Sequence, residues 1–223
     1  MSSAGENTSG PGPHEVGVGP WPGPWPRDDQ GGLSKHLDPE LLRDGDRRNV
    51  VDEFRYWRHA SIVAELDTRR HDVHVAVENW GHDFNIGSVI RTANAFNVAA
   101  FHIVGRRRWN RRGAMVTDRY QHEHHHPDVA ALMAWAGSQP GGIPVMALEN
   151  TAQAQPLETA VLPRRCVLLF GQEGPGLTPE AIAAADQVLS IAQFGSTRSI
   201  NAGAAAAIAI HAWVRQHVFE QHP

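Results

Sequence analysis

Cysteine, lysine and long apolar runs are all scarce in this 223-residue chain. The one cysteine, Cys166, has no partner for an intrachain disulfide, and its place in the run Cys-Val-Leu-Leu-Phe marks it as a core residue of a protein kept in a reducing compartment. The one lysine, Lys35, leaves nearly all positive charge to arginine, so arginine richness is a bias of the whole chain and only its clustering is informative. Net charge is -4, which excludes a broadly basic nucleic-acid binder and makes any basic footprint local. No apolar stretch approaches the roughly 20 residues of a membrane-crossing helix, and no basic segment followed by an apolar one opens the chain. A soluble, cytoplasmic protein without a membrane partner is expected.

Aliphatic residues are also nearly missing from residues 1–33, which carry Gly-Pro-Gly-Pro and Gly-Pro-Trp-Pro-Gly-Pro-Trp-Pro instead. Such a segment has little with which to build a core and is expected to be a disordered tail, with Trp21 and Trp25 either uncommitted or kept for a partner. Residues 34–70 form a helical N-terminal extension, because Leu41, Leu42, Val50, Val51, Phe54, Trp57, Ile62, Val63 and Leu66 recur at helical steps among charges. Residues 71–223 then alternate short buried strands (73–77, 100–104, 143–148, 167–170, 188–192) with helical segments (86–97, 128–136, 179–185, 200–218). That alternation predicts an α/β domain with a mostly parallel sheet covered by helices on both faces. Thr178-Pro179 is a helix start, with a hydroxyl to cap and a proline at the first position.

Three segments carry candidate chemistry, each where a strand gives way to a loop or helix, the usual place for a site on an open α/β sheet. The first, residues 78–93, contains Asn85, Gly87 and Arg91; Asn85 is also a fit helix cap. The second, Phe-Gly-Gln-Glu-Gly-Pro-Gly-Leu-Thr-Pro-Glu at 170–180, is a glycine-rich loop whose backbone can approach a ligand closely. The third, Ile-Ala-Gln-Phe-Gly-Ser-Thr-Arg-Ser-Ile-Asn at 191–201, runs into the small residues 202–207, which let a helix pack against other backbone.

In this order and spacing the three segments resemble the motifs of the SpoU/TrmH branch of the SPOUT RNA methyltransferases, over residues 72–215 or so. Asn85, Gly87 and Arg91 match the first motif, Gly171, Glu173 and Gly176 the second, and Ser199-Ile200-Asn201 the third. The resemblance implies a deep C-terminal trefoil knot, a homodimer, and S-adenosyl-L-methionine-dependent 2'-O-methylation of a ribose in tRNA or rRNA. Two departures stand out: Ile191-Ala192-Gln193 replaces the usual Ile-Pro-Met, and Ala202-Gly203 replaces Val-Ser.

By the same resemblance Asn85, Arg91, Glu173, Ser199 and Asn201 form the catalytic set, and Leu148, Gly171, Gly176, Ile191 and Ile200 surround the cofactor. A sulfonium methyl is already electrophilic, so the enzyme has to align it with the ribose oxygen and help that hydroxyl shed its proton. A guanidinium resists deprotonation, which gives Arg91 the task of holding a phosphate and stabilising the developing alkoxide while phosphate or water takes the proton. Glu173 as general base is the rival assignment. A class I Rossmann enzyme would place its glycine loop after the first strand with G-x-G-x-x-G spacing, which this chain lacks. A noncatalytic RNA-binding homologue, or a SPOUT enzyme that methylates a base, are the alternatives.

Outside the motifs, Arg106, Arg107, Arg108, Arg111 and Arg112 surround Trp109 and offer phosphate forks with an indole for base stacking, or else a solvated turn. His122, His124, His125 and His126 form a near-continuous run, read as a surface or RNA-facing segment rather than a metal site, because adjacent side chains rarely converge on one ion. Trp80 and His82 flank the first motif, where they either touch the target nucleotide or pack locally.

Overall fold

The structure is a computed structural model that describes residues 17–81 and 85–223. Two compact units divide the chain between Glu65 and Leu66.

In the first unit, the expected disorder of residues 1–33 does not hold for 17–33; residues 1–16 lie outside the described part. Val18 exchanges backbone hydrogen bonds of 2.9 Å with Asp46, and the Trp21 amide donates to the Leu42 carbonyl at 2.8 Å. Trp21 sits edge-on to Tyr56 with ring centroids 5.3 Å apart, and the Tyr56 hydroxyl donates to the Gly19 carbonyl. Leu37, Leu42 and Tyr56 form the small core, with Val18, Trp21, Leu33, Leu41 and Trp57 packed on it. Aromatic rings thus supply the apolar area that the missing aliphatic residues would have supplied. Trp25 stays largely exposed.

Two helices belong here: α1 (Pro39–Asp44), capped by Asp38 with proline in its first turn, and α2 (His59–Asp67), which begins in this unit. The fully buried Asp46 carboxylate ties the unit together. It accepts hydrogen bonds from the Arg48 side chain and from the amides of Arg48 and Tyr56. Burial pushes this carboxyl up, but those donors outweigh it and hold it below the usual carboxylate range. Asp46→Ala leaves the Tyr56 amide without an acceptor, so urea titration is expected to show a loss of about 2 kcal/mol.

The second unit is the α/β domain. Its strands are β1 (Val73–Asn79), β2 (Phe101–Gly105), β3 (Glu123–His126), β4 (Val145–Leu148), β5 (Gln155–Pro156), β6 (Cys166–Phe170) and β7 (Gln187–Ser190). All pair in parallel, in the order β3-β2-β1-β6-β4-β7-β5. The helices are α3 (Ile86–Ala95), α4 (Val129–Ser138), α5 (Pro179–Ala184) and α6 (Ala202–His217). Alternate residues of the strands feed two cores. Val75, Val77, Leu168 and Phe170 join α3 and α6 on one face, while Ala76, Val104, Ala147 and Leu169 join α4 and α5 on the other. Thr178 caps α5 through the Ala181 amide at 3.2 Å, with Pro179 at its start. Cys166 is buried, and burial pushes its thiol up to about 12.

The histidine run is not a surface segment throughout. His126 is buried on β3, and neighbouring strands add buried His102 and His74. His74 Nδ1 lies 3.1 Å from His102 Nε2, and His102 Nδ1 lies 3.0 Å from His126 Nε2, so three imidazoles bridge three strands beside Trp135. Such a row holds together when each ring is neutral, with one nitrogen donating and the other accepting. Among the described residues no group of histidine, cysteine or carboxylate side chains converges as a metal cage, and no helix is long and apolar enough to cross a membrane.

Candidate active site

β1 and β6 lie side by side, with Val77 opposite Phe170. The first motif leaves the C-terminal end of β1 and the glycine loop leaves the C-terminal end of β6, so the sheet delivers both to one edge. Within that loop the Gln172 and Gly176 amides each donate to the other's carbonyl at 3.1 Å, closing a tight turn. Gly171 packs so closely under it that a Cβ there would come within 2.3 Å of the Leu177 nitrogen. The Glu149 carboxylate accepts the Leu177 amide at 2.7 Å, and buried Glu78 accepts both the amide and the hydroxyl of Thr178 at 2.7 Å. Acids that end β1 and follow β4 therefore fasten the loop to the sheet. Gly171→Ala has to displace backbone, so a loss of about 2 kcal/mol in thermal unfolding, with weakened cofactor binding by calorimetry, is the expected result.

Behind this loop lies a cavity of about 270 Å³, near the lower limit of small-molecule pockets at roughly 300 Å³. Leu148, Gly171, Gly176, Ile191 and Ile200 all line it, as do Glu173, Ser199 and Asn201. Leu148, Phe170 and Leu189 lie at or next to the ends of three adjacent strands and give the cavity apolar walls. Sequence reading had not singled out Phe170, Leu189 or Glu149; the signal available for each was its place at or just after the end of a buried strand.

Three motif residues meet through hydrogen bonds. The Asn85 amide group donates to Glu173, and the Asn201 amide group donates to Asn85 Oδ1 at 2.8 Å and to Glu173 Oε1 at 3.4 Å. Asn85 stands at the start of α3, yet its side chain makes no capping bond; it is turned to the motif partners. Asn201 does both jobs, since its Oδ1 also accepts the Gly203 and Ala204 amides and caps α6. Small residues permit this convergence: a Cβ on Gly203 would fall 2.5 Å from Ser88 Oγ, and one on Gly87 2.6 Å from the Gly113 Cα.

Arg91 is exposed on α3, outside the cavity lining, and has no hydrogen-bond or ion-pair partner among the described residues. Arg106, Arg107, Arg108 and Arg112 are exposed as well, while Arg111 pairs with Asp118 and Glu123. Trp109 corrects the expectation of a stacking platform. It is buried in the main core, its Nε1 3.3 Å from Glu123 Oε2, and therefore holds the loop rather than a base. Trp80 packs locally, with its indole nitrogen donating to Glu78 and its ring under Gly105. His82 lies outside the described residues.

The SpoU rRNA Methylase family model matches residues 72–211. The chain belongs to this family. Among SpoU relatives, the tRNA (guanosine(18)-2'-O)-methyltransferase of Escherichia coli K12 is 29% identical over 162 residues, covering 71% of this chain and 70% of its own. A solved SpoU-fold structure, the TrmH/SpoU tRNA modifying enzyme of A. aeolicus, superposes with a TM-score of 0.64 at 19% identity over 73% of this chain and 84% of that one. The SpoU methyltransferase AviRb from Streptomyces viridochromogenes, solved in complex with the cofactor AdoMet, gives 0.59 at 22% identity over 69% and 61%.

Proposed function

We propose that this chain transfers a methyl group from S-adenosylmethionine to a ribose 2'-hydroxyl of transfer RNA. The observation that carries this reading is the meeting of Asn85, Glu173 and Asn201, one from each motif, in a family member whose second and third motifs line one cavity. The name of the E. coli relative specifies 2'-O-methylation of a tRNA guanosine, which supports both the reaction and the RNA class.

The cavity suits the cofactor on its own chemistry. Its apolar walls match a heteroaromatic base, and its carboxylate and amide groups match a charged amino-acid end. Leu148, Gly171, Gly176, Ile191 and Ile200 hold the cofactor in this reading. When bound, S-adenosylmethionine supplies an electrophilic methyl on sulfur. Glu173 has an oxygen committed to each asparagine amide, which makes it a positioning group for Asn85 and Asn201 rather than the base. Ser199 completes this polar frame. Arg91, free of protein partners among the described residues, grips a substrate phosphate and stabilises the alkoxide as it forms, and the proton leaves to phosphate or water. Arg106, Arg107, Arg108 and Arg112 hold flanking phosphates, with Arg111 partly committed to its carboxylates.

The trefoil knot and the homodimer belong to the same proposal, together with a role for the N-terminal unit in choosing the RNA. Exposed Ile208, Val218 and Phe219, on α6 and just after it, support pairing between copies. Sedimentation is expected to give twice the 24.4 kDa chain mass.

The test is methyl transfer from labelled S-adenosylmethionine to total tRNA, and to rRNA lacking host modification, followed by digestion to nucleosides. A labelled 2'-O-methylnucleoside from tRNA is expected. Label on a base would put the chain with base-methylating SPOUT enzymes; cofactor binding with no transfer to either RNA would overturn the tRNA assignment.

A further inference from the structure

Gln193 is the feature of the cavity that neither the motifs nor the mechanism uses. Its Oε1 is buried and has no hydrogen-bond partner among the described residues. It stands where the family's third motif usually has methionine, and it lines the cavity with Ile191. Its orientation is read from which residues of the segment line the cavity. Beyond β7 the segment continues with Ile191 and Gln193 turned to the cavity, while Ala192 is exposed and Phe194 is 98% exposed. The Ala192 amide is fixed by Glu158 Oε1 at 2.9 Å. A buried acceptor without a donor is costly, and native proteins keep one chiefly where a ligand or water completes it.

We propose that the Gln193 carbonyl oxygen accepts a hydrogen bond from the exocyclic amino group of the cofactor's adenine, making Gln193 the residue that distinguishes adenosine from other nucleosides in this site. The inference rests on the reading of the cavity as the cofactor site. Gln193 lies on the chain continuing from β7, whose Leu189 is in register with Leu148, so its amide faces a space walled by Leu148, Phe170, Leu189 and Ile191. Adenine carries a single pair of donor hydrogens on its ring system, on the amino group. Methionine at this position fills space but provides only a weak acceptor.

Calorimetric binding to the full chain separates this idea from the one beneath it. The ligands are S-adenosylhomocysteine and its 6-deamino analogue built on purine riboside, which lacks only the amino group. The unaltered protein is expected to favour the adenosyl compound by at least about tenfold, the cost of leaving a buried acceptor unpaired. Gln193→Met should reduce that preference to about threefold or less, while Gln193→Glu, which keeps an acceptor, should retain it; circular dichroism melts show whether each variant is folded. Equal discrimination by the unaltered protein and a folded Gln193→Met would overturn the role of Gln193 and leave the cofactor site standing. Failure of the unaltered protein to bind either ligand would overturn both.

Discussion

Arg91→Ala is expected to lower kcat for methyl transfer by about 10²- to 10³-fold, the cost typical of removing one donor aimed at developing negative charge. Cofactor affinity and melting temperature should hardly move. Arg91 is exposed, touches no partner among the described residues and does not line the cavity, so its loss opens no hole and strips no cofactor contact. The effect should therefore fall on kcat far more than on the affinity for S-adenosylmethionine, measured by single-turnover transfer beside calorimetry. Arg91→Lys adds a second reading. If a planar fork holds a phosphate while stabilising the ribose oxygen, a point charge recovers only part of the rate. Full activity in Arg91→Ala would remove this residue from the reaction and return Glu173 to consideration as the base.

Acidification should begin to destabilise the α/β unit from about pH 6.5, above the range in which carboxylates protonate. Burial, aided by Arg165 and His124, lowers His74 from the usual histidine value near 6.5 to about 4. Burial also drives His102 well down, and it lowers His126, with neighbouring histidines adding to both. A depressed folded value means that the unfolded chain takes up protons the folded chain refuses. Stability is thus complete above about pH 6.5, falls as the pH drops from there, and levels off below the folded values. At about 1.4 kcal/mol per pH unit, His74 alone contributes a loss of about 3 kcal/mol by pH 4. Urea midpoints between pH 7.5 and 4.5 measure the slope. His74→Gln, which stays uncharged, should flatten it by about one proton; an unchanged slope would mean that the row opens to water before it titrates.

Much of the α/β unit was legible from hydrophobic periodicity, because parallel strands buried on both faces leave continuous apolar runs such as Val167 to Phe170. β3 was not, because its Glu-His-His-His sequence carries no apolar run, and its one buried residue, His126, ends a histidine row that runs from two other strands. β5, only Gln155 and Pro156, is too short for any pattern. In the site, the glycine loop and the third motif advertised themselves by composition. The hydrogen bonds joining Asn85, Glu173 and Asn201 span 88, 116 and 28 residues and follow from topology alone. Trp109 was misread because a tryptophan among arginines looks the same in sequence whether its ring faces solvent or the core. The order in residues 17–33 was missed for a related reason: two strand-like bridges and one tryptophan suffice where aliphatic content suggests nothing.

Gly87 and Gly113 place the backbone of α3 against the turn that holds Arg111 and Arg112, with no side chain between them. Two elements in such contact cannot slide independently, so Arg91 on one and Arg112 on the other keep a set spacing. On the proposed reading, in which both arginines hold RNA, that spacing would act as a ruler: with a phosphate seated on Arg112, the nucleotide presented at Arg91 would be selected by its distance along the strand.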